Sequence, residues 1–447
     1  MLFKDDIDNP QHGIDAMAIS SSVEDERKTC QVKIITAINK AFEKFDEIIL
    51  FHGYLNLTKY INFLVQVSES EFGQEYIKNN INLEQIKSLV DIYNEKQTRD
   101  VMYSIVRLFV NISYLSEDAT RCFIEKGVHK TLISMNIPKE IEYYKDYFRL
   151  IYNLTSIDPE IYEEQQVIIL LKQLLRADAI RKQFGLKSLT NIFRQKIFSN
   201  STVNISVLDL LHKILLSNDG TIRETVAWFV YFQLENNEAR FFLSDICRSQ
   251  IMNEFVDSLF KCDNSVLVNI ILSIFSRIVI LNIGEYVEKL FNSDVLEAAL
   301  NLVTHENAGE YALCLVNNFM ASNNIYLEYC LSKNFHSYSL DVFDNGNVRV
   351  KQECVRTWLI INDLGNSLQS VTVLNDFVIE KIIDFLSSDS DEDFIVYGLN
   401  LLIKLCDKEP KFAEMFDISD FDNIQNHKSE KIQELYQVIV DRMKSEE

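Results

Sequence analysis

An asparagine returns, at nearly constant spacing, inside one apolar helical segment after another, and this limits the fold more than any other feature of the sequence. It closes Val106-Arg-Leu-Phe-Val-Asn111, Phe148-Arg-Leu-Ile-Tyr-Asn153 and Gly185-Leu-Lys-Ser-Leu-Thr-Asn191, then Ala312-Leu-Cys-Leu-Val-Asn-Asn318 and Arg356-Thr-Trp-Leu-Ile-Ile-Asn362. Phe232 and Arg277 hold the same frame between Asn191 and Asn318, and Asn400 follows Asn362, so successive intervals are 42, 38, 41, 45, 41, 44 and 38 residues. One more unit fits upstream, around Leu57–Ile77. A period near 40 is that of helical repeats of the armadillo and HEAT class. No single unit of this length can bury its own apolar face, so neighbours must stack. The stretch Arg121-Cys-Phe-Ile-Glu-Lys-Gly127-Val supplies the punctuation of an armadillo repeat, with Gly127 suited to a left-handed turn between helices. The predicted fold is therefore all-α: a right-handed armadillo-repeat superhelical solenoid whose successive long helices line the concave face.

Composition agrees. Eleven glycines and four prolines in 447 residues are few for a fold rich in turns, whereas 47% hydrophobic residues are enough for a continuous core. No alternating strand pattern of useful length occurs. Residues 1–28, with Pro10, Gly13, the Ser20–Ser22 run and several acids, read as a disordered acidic tail. Residues 29–443 read as the solenoid, about nine to ten repeats. Apolar spacing of three and four residues marks helices over Ile35–Ile49 and Val101–Ile112. Breaks are expected at Ser217–Gly220, Asn345–Asn347 and Ser387–Asp393, and Thr221-Ile-Arg-Glu224 has the form of a capping box.

The formal charge is −22, from 44 Lys plus Arg against 66 Asp plus Glu. Such a surface repels phosphate backbones and anionic lipid and favours a basic protein or peptide. The eight cysteines form no C-x-x-C pair, and the seven histidines are isolated, so no zinc spacing is present. Scattered cysteines in helical sequence read as buried hydrophobes of a reducing compartment. Walker, dinucleotide and nucleophile-elbow motifs are missing. The expectation is a binding protein, with no cofactor, no nucleic acid and no membrane span.

Asn is a mediocre helix former and costs free energy when buried without a partner. Its carboxamide offers a donor and an acceptor, which is what an extended peptide backbone requires. A ladder of Asn111, Asn153, Asn191, Asn318 and Asn362 could hold such a peptide. The residue four before each rung lies one turn away on the same face. Both tryptophans of the chain, Trp228 and Trp358, occupy that place, relative to Phe232 and Asn362, where an aromatic ring could pack the stem of a Lys or Arg. The alternative is that the asparagines only join neighbouring repeats.

Val350-Lys-Gln-Glu-Cys-Val-Arg-Thr-Trp358-Leu-Ile-Ile-Asn362 resembles the Trp-x-x-x-Asn helix of importin α. The stretch Ile424-Gln-Asn-His427-Lys-Ser-Glu-Lys-Ile-Gln-Glu-Leu-Tyr-Gln-Val-Ile-Val-Asp441 is similar to that family's closing segment. The resemblance runs over roughly residues 60–443 and is weak in the middle. It implies an adaptor that binds basic nuclear localisation signals. Counted back from the C-terminal end, Cys314/Asn318 and Trp358/Asn362 fall in the seventh and eighth repeats, the minor site. Trp228/Phe232 falls in the fifth. Arg107/Asn111, Arg149/Asn153 and Lys187/Asn191 fall in the second to fourth, the major site. There the family's tryptophans are replaced by cations that would repel a lysine-rich peptide. The first 30 residues hold three cations (Lys4, Arg27 and Lys28) against seven acids, where the family has a basic segment for importin β.

The functional expectation is a monomeric importin-α-like adaptor of cytoplasm and nucleus, binding basic segments of cargo proteins. Trp358, Asn362, Asn318, Trp228, Asn191, Asn153 and Asn111 would form its groove, and importin β or an export factor would be its transport partner. The alternative is a generic armadillo scaffold for a folded partner, with no transport role.

Overall fold

The computed structural model describes a few positions within 32–40 and most of residues 54–444, leaving out 81–82, 95–98, 135–140, 176–178, 196–200, 217–218, 236–239, 262–263, 366–375, 389–391, 409 and 416. The acidic tail of residues 1–28 and most of the Ile35–Ile49 segment lie outside the described residues. Every described element is a helix. The chain divides into two compact units, Met1–Tyr162 and Glu163–Glu447.

The first unit contains α1 (Tyr54–Glu69), α2 (Glu71–Asn80), α3 (Leu83–Asn94), α4 (Arg99–Leu115), α5 (Glu117–Glu125), α6 (Val128–Ser134) and α7 (Ile141–Ile157). Its long helices α1, α4 and α7 pack in succession, while α3 packs on α5 and α6 behind them. The core here is aromatic: Phe109 lies 5.6 Å from Tyr93 and 4.3 Å from Phe123, ring centre to ring centre.

The second unit contains α8 (Glu164–Leu175), α9 (Ala179–Gln195), α10 (Ser201–Leu215), α11 (Gly220–Glu235), α12 (Arg240–Arg248), α13 (Gln250–Lys261), α14 (Ser265–Ile280), α15 (Gly284–Asn292), α16 (Val295–Leu302), α17 (Gly309–Ser322), α18 (Asn324–Ser332), α19 (Phe335–Asn345), α20 (Val348–Leu364), α21 (Asp376–Ser388), α22 (Glu392–Lys408), the single turn α23 (Asp422–Gln425) and α24 (Glu430–Lys444). The long helices α9, α11, α14, α17, α20, α22 and α24 each pack on the next. Between them, α12–α13, α15–α16 and α18–α19 are pairs of shorter helices. Three helices per repeat, the last one long, is the armadillo plan.

Local chemistry sets the repeat boundaries. The turn between the two short helices needs one left-handed residue. Gly127 supplies it with φ +76°, as its sequence context predicts, and Asp294 and Asn334 supply it with φ +59° and +57° in later repeats. Asp and Asn are the non-glycine types that tolerate this conformation best. Long helices begin on polar caps: Asn264 Oδ1 accepts from Leu267 N at 3.1 Å, and Asn347 Oδ1 from Val350 N at 3.0 Å. The expected break at Asn345–Asn347 falls between α19 and α20. The capping box at Thr221–Glu224 is corrected. Helix α11 starts at Gly220, and Asp219 caps it, accepting from Thr221 N at 3.0 Å and Ile222 N at 3.3 Å. Glu224 instead accepts from Asn264 Nδ2, 40 residues on, at 2.7 Å. It joins two repeats rather than closing one helix end.

Candidate functional site

The asparagine ladder exists, and its bonds run from one repeat to the next. Asn111 Nδ2 donates to Ser68 Oγ at 2.8 Å, from α4 back to α1. Asn153 Nδ2, on α7, donates to Ser113 Oγ at 2.8 Å and to the Val110 carbonyl at 3.3 Å on α4. Asn318 Nδ2, on α17, donates to Ser276 Oγ on α14. In each case the acceptor lies 40 to 43 residues earlier, on the preceding long helix. A carboxamide on an apolar helix thus finds its partner inside the protein, and the expectation of donors left open for a peptide backbone is corrected at these rungs. Asn191 is half-buried on α9. Asn400 turns back on its own helix, donating to the Val396 carbonyl at 2.7 Å.

Around Asn318 the stitching widens into a polar network across α14, α17 and α20. Arg356 Nη2 donates to Asn318 Oδ1 at 2.7 Å, and Arg356 Nη1 lies 3.3 Å from Glu353 Oε2. Asn317 Nδ2 donates at 2.8 Å both to the Glu353 carbonyl and to its carboxylate, while Thr357 Oγ1 donates to Asn317 Oδ1 at 2.7 Å. Asn317, Asn318 and Thr357 are all buried. Cys314 lies beside this network, 3.7 Å from Ser276 Oγ, and burial raises its thiol pKa.

Trp358 does not line a groove. It is 0% exposed, donates its indole N–H to Ser339 Oγ at 3.0 Å and packs 5.2 Å from Phe343. Asn362, one turn on, is also buried, and its Oδ1 meets no donor. Tryptophan and asparagine four residues apart share a face, as the motif implies. That face meets the short helix α19 and the core, so the expected peptide contact through Trp358, Asn362 and Asn318 is corrected for this conformation.

The cations one turn before Asn111 and Asn153 in the first unit, Arg107 and Arg149, lie near acids of the same unit. Arg107 Nη2 and Nε reach Glu69 Oε1 at 2.7 and 3.1 Å. Asp146 lies near Arg107 and Arg149, yet burial, the largest influence, raises its pKa above the usual carboxylate value. Among the described residues here, acids lie beside bases, so no strip of one sign forms.

A partly open aromatic cluster lies in the second unit, around Trp228. This residue is half-buried, stacks on Phe232 at 5.5 Å with 24° between the rings, and meets Tyr231 edge-on at 5.5 Å. Tyr231 and Phe232 are half-buried too, and Tyr311 on α17 is 38% exposed. Burial raises the Tyr231 pKa first, and the Glu235 carboxylate beside it adds to the shift; Arg277 opposes it and Tyr311 adds a smaller increment. The platform is thus built from three successive long helices, α11, α14 and α17. Of its members, reading the sequence singled out only Trp228 as a site residue. Phe232 and Arg277 were legible as positions in the repeat frame, 41 residues after Asn191 and 45 after Phe232, that depart from asparagine, and this was the available signal. Tyr231 and Tyr311 carried none, because tyrosine is common in this chain.

Among the described residues, no helix is long and apolar enough to cross a membrane, and no group of three or more His, Cys, Asp or Glu residues could hold a metal.

No family model and no curated protein matches the chain. Solved structures do. An engineered protein of known crystal structure aligns over 86% of this chain and 98% of its own, with a TM-score of 0.63 and 14% identity. A designed armadillo repeat protein in complex with the peptide (KR)4 aligns over 53% of this chain and 99% of its own, with a TM-score of 0.44 and 16% identity. A second designed armadillo repeat protein covers the same share of each, with a TM-score of 0.43. The chain is an all-α solenoid of armadillo-type repeats.

Proposed function

We propose that the chain is a peptide-binding adaptor of the importin-α kind, which holds a basic, extended segment of a cargo protein on the long-helix face of its second unit. The observation that carries this reading is the half-exposed stack of Trp228 and Phe232 on that face. An aromatic face of this kind packs the aliphatic stem of Lys or Arg and attracts its charge, by about 0.5–2 kcal/mol depending on desolvation. A net charge of −22 favours the approach of a basic segment. The closing helix, whose sequence resembles that of importin α, points to nuclear import as the setting and to residence in cytoplasm and nucleus. The reading assigns binding and no catalysis.

Anisotropy titration of a fluorescent lysine-rich peptide tests it, against wild type and Trp228→Ala. Wild type should bind and the variant should bind about tenfold more weakly, at unchanged helicity. No binding by wild type, or equal affinity for both, sinks the proposal. A second reading, an armadillo scaffold for a folded partner, draws on the first unit, where Arg107 is held by Glu69. Affinity capture separates the two: importin β or an export factor among the partners favours transport, and cytoskeletal or signalling partners favour the scaffold.

A further inference from the structure

Arg277 stands in the ladder frame where most other rungs have asparagine, and it makes the ladder's bond. Its Nε donates to the Leu234 carbonyl at 3.3 Å, 43 residues earlier on the preceding long helix. Asn153 makes the same bond to Val110, also 43 residues earlier and also at 3.3 Å. One nitrogen of the guanidinium therefore does the work of the carboxamide. The other two are left over, and no described residue accepts from them. Asparagine in this place would spend its donors between the repeats; arginine keeps a forked pair of donors and a full positive charge beyond the rung. The side chain is half-buried on the face that carries Tyr231 and Phe232. Glu235, beside Tyr231, forms no ion pair with it among the described residues.

From this geometry we infer that Arg277 is a specificity-determining residue: it takes a carboxylate of the bound segment while the aromatic stack of Trp228 and Phe232 takes the cation. The inference rests on the proposed peptide-binding role and narrows its ligand from a basic run to a segment of mixed charge. A guanidinium fork held in place by its Nε matches the two oxygens of a carboxylate and repels a lysine set over it. The spacing follows from the helix. Leu234, which Arg277 grips, is six residues beyond Trp228, or about 9 Å along the axis at 1.5 Å per residue. An extended peptide covers this in about three residues at 3.3 Å each. The carboxylate can belong to an Asp or Glu side chain or to the C-terminus of the segment; both present the same two oxygens.

Anisotropy titrations with a set of labelled peptides test the inference. In the set, one lysine is fixed and the third residue from it, on either side, is Glu, Gln or Lys, and a further member ends in a free carboxylate at that place. Wild type should prefer Glu or the free C-terminus over Gln by about tenfold at low salt, and should bind the Lys member weakest. Whichever of Glu or the free terminus binds tighter identifies the source. Arg277→Gln keeps an amide that can donate to Leu234 and so keeps the rung. It should retain the helicity and melting temperature of wild type while losing the Glu preference, and Arg277→Glu should favour the Lys member. Equal affinity of wild type for Glu, Gln and Lys members overturns the inference while leaving the cation platform standing. Absence of any binding by wild type overturns both.

Discussion

Replacing Asn318 by Ala separates a structural ladder from a ligand-binding one. The side chain is 4% exposed, donates to Ser276 Oγ, lies 3.8 Å from Cys314 Sγ and accepts from Arg356 at 2.7 Å. Removing the carboxamide deletes a neutral hydrogen bond worth about 1 kcal/mol. It also deletes a charge-assisted one, which would cost about 1.5–3 kcal/mol if Arg356 were left stranded. Arg356 is not stranded: its side chain is 27% exposed and retains Glu353 at 3.3 Å, so about 1 kcal/mol is the fitting share. The small void left by the lost atoms adds up to about 1 kcal/mol, for a total of about 2–3 kcal/mol. Urea unfolding followed by circular dichroism measures this, and amide exchange on α17 and α20 localises it, since a repeat array need not unfold in one step. A cycle with Ser276→Ala should return a coupling of about 1 kcal/mol, because both single variants break the same bond. Affinity for a lysine-rich peptide should stay within about twofold of wild type. Unchanged stability together with peptide binding weakened tenfold would refute the inter-repeat role and return Asn318 to the ligand.

Trp358→Ala should destabilise the second unit by about 3–5 kcal/mol, because it empties a fully buried site and removes the indole N–H that Ser339 Oγ accepts from, leaving that hydroxyl only its bond to the His336 carbonyl; Trp358→Phe should cost less, and thermal unfolding measures both. In the first unit, His129 is 5% exposed, with an unpartnered Nδ1, and burial lowers its pKa from the ordinary 6.5 to about 4, with Lys130 acting in the same sense and Asp158 against it. The folded state therefore holds this histidine neutral. Its contribution is fully present above pH 6.5 and is lost as pH falls toward 4, up to about 3 kcal/mol, so urea midpoints of wild type should fall across that window more steeply than those of His129→Phe.

The sequence by itself determined the repeat. An apolar period near 40 with little glycine leaves stacked helices as the only way to bury every unit, and Gly127 marks a turn that the structure repeats with Asp294 and Asn334. The period also placed Asn111, Asn153, Arg277 and Asn318 in a single frame. It did not determine what that frame faces. Helical periodicity fixes which residues share a face, but α14 is apolar nearly all round, with ten of its residues buried, and α20 has eight, so neither helix announces its outer side. Only stacking brought Ser68, Ser113 and Ser276 within reach of asparagines some 40 residues later, and serines are too common to be chosen in advance. Stacking likewise turned Trp358 toward Ser339 and Phe343, and left Trp228 half-buried against Tyr231 and Phe232. The tertiary structure thus decided which rungs are spent between repeats and which residue keeps donors to spare, because a hydrogen bond depends on where two helices meet and not on the order of residues along either one.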